Sequence, residues 1–314
     1  YSKKNLLTQQ QKKELNFFLK DYNKELLYKG EYRKRTDLFY YKDSLFNLTI
    51  NPIGGYQFWS SFSPKKDIYH RWEGAELQSY IGKYFAIYAN LRDNYEKIPL
   101  AKNTFLTNWQ GGKYKSGTAS GGKEGGVDYS EMRGGISVGW KWGSIDLIKD
   151  HIEWGNNYNG ANIFSGHSPS FPLVKLNIKP VSWAELNYFH ASLISEVVID
   201  TNGFYKYEYG KRDCFIPKYL AANILTFSPV KRLNISLGNS IIYDKYIQIA
   251  YFIPIMFYKS IDHTVASLSN NIGGNAQMFF DISSRNIKHT HLYATMFIDE
   301  VHLSNITIPS KQTN

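Results

Sequence analysis

The sequence predicts an all-β chain, a transmembrane antiparallel β-barrel of the outer-membrane type with a short helical element near its N terminus. Three features carry this expectation. Apolar and polar residues alternate with period two over segments of roughly ten residues, short turns alternate with long polar loops, and aromatic residues make up 16% of the chain. With 25 Tyr, 19 Phe and 7 Trp, the composition favours strands and argues against disorder.

The first element is helical. Leu6, Leu7, Leu15, Phe17, Phe18, Leu19, Leu26 and Leu27 are set among Lys, Glu and Gln over residues 6–28, which is the pattern of a helix with one apolar side. Such a helix caps a barrel end, packs against one or is an ordinary surface helix, and the chain is expected to divide into an N-terminal helical segment over residues 1–35 and the outer-membrane barrel over residues 36–314.

From Asp37 onward the period is two. Met132, Gly134, Ile136, Val138, Trp140 and Trp142 share one side, and Glu131, Arg133, Gly135, Ser137, Gly139 and Lys141 the other. Val174, Leu176 and Ile178 oppose Lys175, Asn177 and Lys179 in the same way, as do Leu233, Ile235, Leu237 and Ile241 against Asn234, Ser236, Gly238 and Ser240. Hairpins are expected around KPVS (Leu173 to Ile178 with Trp183 to Leu193), around SPVK (Tyr219 to Phe227 with Leu233 to Tyr243), and between Phe279 to Ser283 and His289 to Val301. Leu100 to Val127 and Val198 to Pro217 read as long loops. About a dozen strands are expected in all, an even number if the barrel closes within the chain. Trp59, Trp72, Trp140, Trp142 and Trp183 are candidates for interfacial girdles, and a soluble β-sandwich with an aromatic core is the rival fold.

No stretch reaches 18 uninterrupted apolar residues, and the most apolar window, Ile247 to Tyr258, is interrupted by Pro254, so no helical span is expected. The chain starts with Tyr and shows no basic-then-apolar leader, which is consistent with a removed signal peptide or an internal start. Cys214 is the single cysteine and cannot form an intrachain disulfide. Lys plus Arg total 37 against 27 Asp plus Glu, a net charge of +10 that suits anionic partners such as lipopolysaccharide or an acidic surface polysaccharide. The basic residues are scattered apart from Arg33, Lys34 and Arg35, so nucleic acid is not expected.

Glu153 to Leu176, EWGNNYNGANIFSGHSPSFPLVKL, resembles the pattern W-G-x-G/N-x-x-x-x-L/I-x-x-S-x-x-x-x-x-F/I-P of the Wzi-like capsule-assembly family and its RemB-like gliding-motility relatives. Leu38 to Trp59 resembles that family's first barrel hairpin, most clearly at Asn51, Pro52 and Gly55, and Leu292 to Val301 resembles its late strand with an Ile/Leu-Asp-Asp/Glu element. The resemblance implies an outer-membrane barrel of about eighteen strands with a periplasmic helical element. It also implies a role in capsule assembly or attachment at the surface of a Gram-negative cell, or in surface gliding motility. Relatives are longer, so this chain is able to stop before such a barrel closes. An accessory subunit of an outer-membrane secretion or motility complex and a porin-like solute channel are the alternatives.

Within the resembling segment, Trp154, Asn156, Asn157, Tyr158, Asn159 and His167 combine an aromatic ring with amides, the set used to bind sugars. The same residues also make an ordered, inward-folded loop, and this fold-determining reading is the stronger. Lys113, Lys115 and Lys123 lie in the Gly-rich stretch at residues 111–126, which lacks the G-x-x-x-x-G-K-[ST] spacing of a phosphate loop and reads as an extracellular loop able to meet anionic glycan. His289 and His291 would share a face on a strand, but no third ligand stands out beyond Asp299 or Glu300, so no metal is expected. Adjacent Asp299 and Glu300 point to opposite faces and cannot act on one bond. No nucleophile, base and orienting group stand at a telling spacing, so the chain reads as a non-enzyme with no cofactor.

Overall fold

The computed structural model describes residues 7–22, 37–60, 67–97, 113–115, 126–157, 160–198, 205–207, 210–212, 215–262 and 274–299. Helix α1 spans Gln9–Tyr22. Thr8 starts it: Thr8 Oγ1 accepts from the Gln11 backbone N–H at 3.3 Å, and Gln11 Oε1 accepts from the Thr8 N–H at 3.0 Å. This reciprocal box satisfies two donors that a helix start leaves open, which fixes where the helix begins. The expected helix over residues 6–28 is present through its centre, and residues 23–28 lie outside the described residues.

The chain divides into two compact units, Tyr1–Trp140 and Lys141–Asn314. In the first, β1 (Phe39–Lys42), β2 (Phe46–Ser60), β3 (Asp67–Ile81), β4 (Phe85–Glu96) and β6 (Gly126–Trp140) form an antiparallel meander in that order, with the short β5 (Lys113–Lys115) paired to β6. The register sets Asn47, Thr49 and Asn51 opposite Tyr80, Gln78 and Glu76, and sets Asn90, Arg92 and Asn94 opposite Arg133, Glu131 and Tyr129. On this polar face Asn47, Thr49 and Asn94 are buried. The other face aligns Leu77 with Ile50, Ile87 with Ile136, Leu91 with Met132 and Phe85 with Val138. It is the exposed one: Met132 is 56% accessible, and Phe85, Leu91 and Ile136 are exposed beside it.

A sheet folding in water hides its apolar face, and this one does the reverse. Met132 and Ile136 are exposed along a run to half-buried Val138 that is about 20 Å long at roughly 3.4 Å per residue. The alternation expected for β6 is present, and Trp72 corrects one expectation. It falls on the polar face, 4.9 Å centroid to centroid from His70 and with the Arg92 guanidinium 5.9 Å from its ring, because the register places it opposite Gly55 and Asn94.

In the second unit, β7 (Gly143–Asp150), β10 (Phe171–Val181), β11 (Ala184–Val198), β14 (Phe215–Phe227), β15 (Leu233–Asp244), β16 (Asn275–Ser284) and β17 (Leu292–Asp299) pair antiparallel in that order. Two small ribbons stand apart, β8 (Glu153–Trp154) with β9 (Phe164–Ser165) and β12 (Tyr205–Tyr207) with β13 (Gly210–Arg212). Polarity is again inverted. Leu147 is 62% and Leu237 56% accessible, while the intervening Asp146, Ser236 and Ser240 are buried. The KPVS and SPVK hairpins form as expected, with Trp183 stacked on Phe227 at 6.3 Å between neighbouring turns. The last hairpin is a correction: His289 takes a left-handed φ of 61° in the turn and β17 begins only at Leu292, so His289 and His291 do not share a strand face. His291 Nε2 instead pairs with Ser283 Oγ at 2.8 Å.

Tyr188, His190, Asn223 and Asn239 interrupt the apolar face of this unit, and one segment covers them. Residues 245–262 leave β15 and lie back across β11, β14 and β15 on the side that carries Leu225 and Leu237. Asn223 Nδ2 donates to the Met256 carbonyl at 2.8 Å, Asn239 Nδ2 to the same carbonyl at 3.2 Å, and Asn239 Oδ1 accepts from the Tyr258 N–H at 2.9 Å. The Tyr188 hydroxyl donates to the Tyr251 carbonyl at 3.1 Å, and the His190 ring stacks on Phe252 at 4.1 Å. Tyr251 and Tyr258 bury their rings beneath this strap, while Ile249 on its outer side is 84% exposed and Ile247, Ile255 and Phe257 are exposed with it. The strap thus turns polar sheet positions into anchors and presents a new apolar surface.

Two outcomes are expected. A neutral hydrogen bond contributes about 0.5–1.5 kcal/mol, so Asn223→Leu combined with Asn239→Leu should weaken strap docking by roughly 2 kcal/mol and speed amide exchange at Tyr258 by more than tenfold, with the β14–β15 ladder unchanged. In the β1–β2 turn, the N–H groups of Leu45 and then Phe46 donate to Asp43 and hold its carboxyl below the usual carboxylate range. Its contribution is fully present above the unfolded value near ~3.9 and is lost as pH falls through the lower folded value. Exchange of the Leu45 and Phe46 amides should therefore accelerate in acid, and Asp43→Ala should abolish that dependence.

Candidate functional site

Between β7 and β10 the chain turns inward. Glu153 pairs with Ser165 and Trp154 with Phe164, and the Ile163 N–H donates to the Trp154 carbonyl at 3.1 Å. Gly155 adopts φ 134° with Asn162 packed so close that a Cβ would meet it, so the turn requires glycine there. The ribbon lies on the polar face of the second unit, where the strands supply an apolar seat of Leu173, Phe189, Leu220, Ile224 and Phe279. Trp154 fills that seat, its ring edge-on to Phe189 at 5.0 Å, Phe164 at 5.4 Å and Phe279 at 6.3 Å. Gly238 lies across from Phe279 and makes room for its ring, since any Cβ there would run into it.

Polar tethers hold the far side of the loop. Asn157 Nδ2 donates to Thr295 Oγ1 at 3.5 Å, and Ser283 Oγ donates to the Asn156 carbonyl at 3.4 Å. His151 Nδ1 lies 2.7 Å from the Ser168 carbonyl and so closes the loop near its base. Between ribbon and sheet is a cavity of about 270 Å³. Its walls combine the ring edge of Trp154, the rim residue Trp183, and a row of amides, hydroxyls and carboxylates from β11, β14, β15 and β16.

These polar groups are organised. Glu185 accepts from Lys179 Nζ at 2.7 Å and from the side-chain amides of Asn177 and Asn187, both at 3.0 Å. Thr226 Oγ1 and Ser236 Oγ are 2.9 Å apart, and Ser228 Oγ donates to Asn234 Oδ1 at 2.7 Å. Asp281 is fully buried beside them and accepts from Thr295 Oγ1 at 2.5 Å. Such a wall can accept and donate hydrogen bonds at several points along the cavity. Among the described residues no group of three His, Cys, Asp or Glu side chains is placed to hold a metal ion.

The candidates named from sequence separate. Trp154 is a buried packing residue, Asn156 lines the cavity, and Asn157 tethers the loop. His167 is exposed, with its N–H donating to Ser165 Oγ at 3.4 Å, and is not part of the cavity wall. Tyr158, Asn159 and Lys123 lie outside the described residues, and Lys113 and Lys115 are placed only by the backbone of β5. The sequence does not single out Asp281, Glu185 or Lys179, which all line the cavity. The legible signal for Asp281 is a carboxylate interrupting the apolar run Met278, Phe279, Phe280, Ile282.

No protein-family model, curated protein or solved structure matches this chain.

Removing a large buried aromatic costs about 3–5 kcal/mol. Trp154→Ala should therefore loosen the inward loop, seen as faster amide exchange at Ile163, whose N–H bonds the Trp154 carbonyl, while Trp154→Phe retains most of the protection.

Proposed function

We propose that this chain is a non-enzymatic β-barrel of the outer membrane of a Gram-negative bacterium, or a large part of one, that helps assemble or attach surface polysaccharide. The observation that carries the reading is the inverted polarity of both units, with Met132, Leu147 and Leu237 outward and Asn47, Asp146 and Ser236 covered. In water that arrangement is unfavourable at about 25 cal/mol per Å² of apolar surface left exposed, whereas in a bilayer the outward residues meet acyl chains and the covered polar ones face a lumen.

Two further features support it. In the first unit the short turn at 82–84 carries exposed Tyr84, and in the second the short turns at 182–183 and 228–232 share one end of the strands, where exposed Trp183 supplies an interfacial aromatic, while residues 245–262 leave from the other. The likeness of Glu153 to Leu176 to the Wzi-like pattern supports the polysaccharide half, because that segment is the one folded onto the polar face above the cavity. Lipid bilayer and lipopolysaccharide are the surrounding partners in this reading. A porin-like channel is less favoured because the Trp154 ribbon occupies the polar face.

The test combines gel migration with substitution. Membrane-extracted protein should run faster unboiled than boiled and show a β-type circular dichroism spectrum in detergent. Leu147→Arg should destabilise the protein in lipid vesicles by about 2–4 kcal/mol, as a cation near the bilayer midplane does. A water-soluble sheet would shift by no more than about 0.5 kcal/mol at the same exposed position, and that result would refute the membrane reading.

A further inference from the structure

Asp281 is at mid-strand in β16, with Ser236 across on β15 and Thr295 across on β17. Its Oδ1 takes the Thr295 hydroxyl proton, while Oδ2, equally buried, has no partner. Thr295 in turn accepts from Asn157 Nδ2, and Asn157 Oδ1 is a second buried acceptor without a donor. One hydroxyl therefore joins two unanswered acceptors, one from the sheet and one from the inward loop. A buried acceptor left unpaired costs about 1–3 kcal/mol, and more when it is charged, so the arrangement is completed by a ligand that brings donors.

The charge of the cavity sharpens this. Its described walls carry the carboxylates of Glu153, Glu185 and Asp281 against the single ammonium of Lys179, which Glu185 engages at 2.7 Å. The net charge of +10 on the whole chain thus does not extend to this site. An anionic ligand would meet a negative wall and, at Asp281, an acceptor it cannot satisfy, whereas a hydroxyl or a protonated amine would satisfy it. At about 270 Å³ the space equals roughly nine waters at ~30 Å³ each, enough for one sugar ring. Trp183 at the rim adds an apolar surface for the ring's C–H groups.

We infer that the cavity beneath the inward loop binds a non-anionic sugar unit, neutral or amino, through a donor directed at Asp281, and that it discriminates against acidic sugars. This rests on the proposed reading of the polar face as the one presented to polysaccharide. Calorimetric titration of the folded protein in detergent with three trisaccharides of matched size tests it: cellotriose, the fully deacetylated chitosan trimer, and trigalacturonate. Cellotriose or the chitosan trimer should bind at least tenfold more tightly than trigalacturonate, and Asp281→Asn should weaken that binding at least tenfold with the heat-modifiable band retained. Tightest binding of trigalacturonate, no heat from any of the three, or unchanged affinity in Asp281→Asn would each overturn the inference. The comparison of three sugars on the unaltered protein stands even if the variant misfolds. Loss of heat-modifiable migration in the unaltered protein would instead count against the membrane reading, so the two failures are separable.

Discussion

Because successive side chains on a strand point to opposite sides, a sheet has to find surroundings for two faces at once, and every other feature of this chain follows from how it answers that demand. The apolar face is left outward in both units, so the polar one is covered, and its amides, hydroxyls and carboxylates have to be matched with one another. The Glu185, Lys179, Asn177 and Asn187 cluster and the chain of Asn157, Thr295 and Asp281 are the results. Register makes these pairings possible, since a slip of one residue would send each member to the opposite face.

The inward loop is the point at which the two kinds of surface meet. A polar face gives a loop little reason to stay, and here β10, β11, β14 and β16 interrupt their polar rows with Leu173, Phe189, Ile224 and Phe279 to make an apolar seat for Trp154. Around that seat the loop's backbone finds polar partners, and the remaining space is the cavity. Packing at one end of the ribbon and hydrogen bonding at the other thus position the loop and the candidate site together.

Much of the strand pattern was legible in the sequence, because alternation reports directly on the two faces. Lys175, Asn177 and Lys179 against Val174, Leu176 and Ile178 give both the strand and its orientation. Which face is exposed is not contained in the pattern, since an alternating strand reads identically either way. Trp72 shows the limit for single residues: its placement depends on pairing with Gly55, a partner well removed along the chain. The hairpin before β17 shows the limit for turns: histidine is among the residues enriched in the left-handed region that His289 adopts, yet the two-residue spacing of His289 and His291 reads equally well as strand. Of the candidate site, the loop was legible through its Gly and Asn turns, while Asp281 and Glu185 were not. Their role comes from strands that the fold brings to opposite sides of one cavity.

The strap over β14 and β15 has one more property. Besides the packing of Tyr251, Phe252 and Tyr258, its links to the sheet include hydrogen bonds to the side chains of Tyr188, Asn223, Asn239 and Tyr243. Water competes for every such link, whereas hydrocarbon offers no competing donor or acceptor, so the same clasp grips harder as the local dielectric constant falls. The strap's grip is thus set by its surroundings as well as by its contacts, firmest wherever water is kept from Asn223 and Asn239.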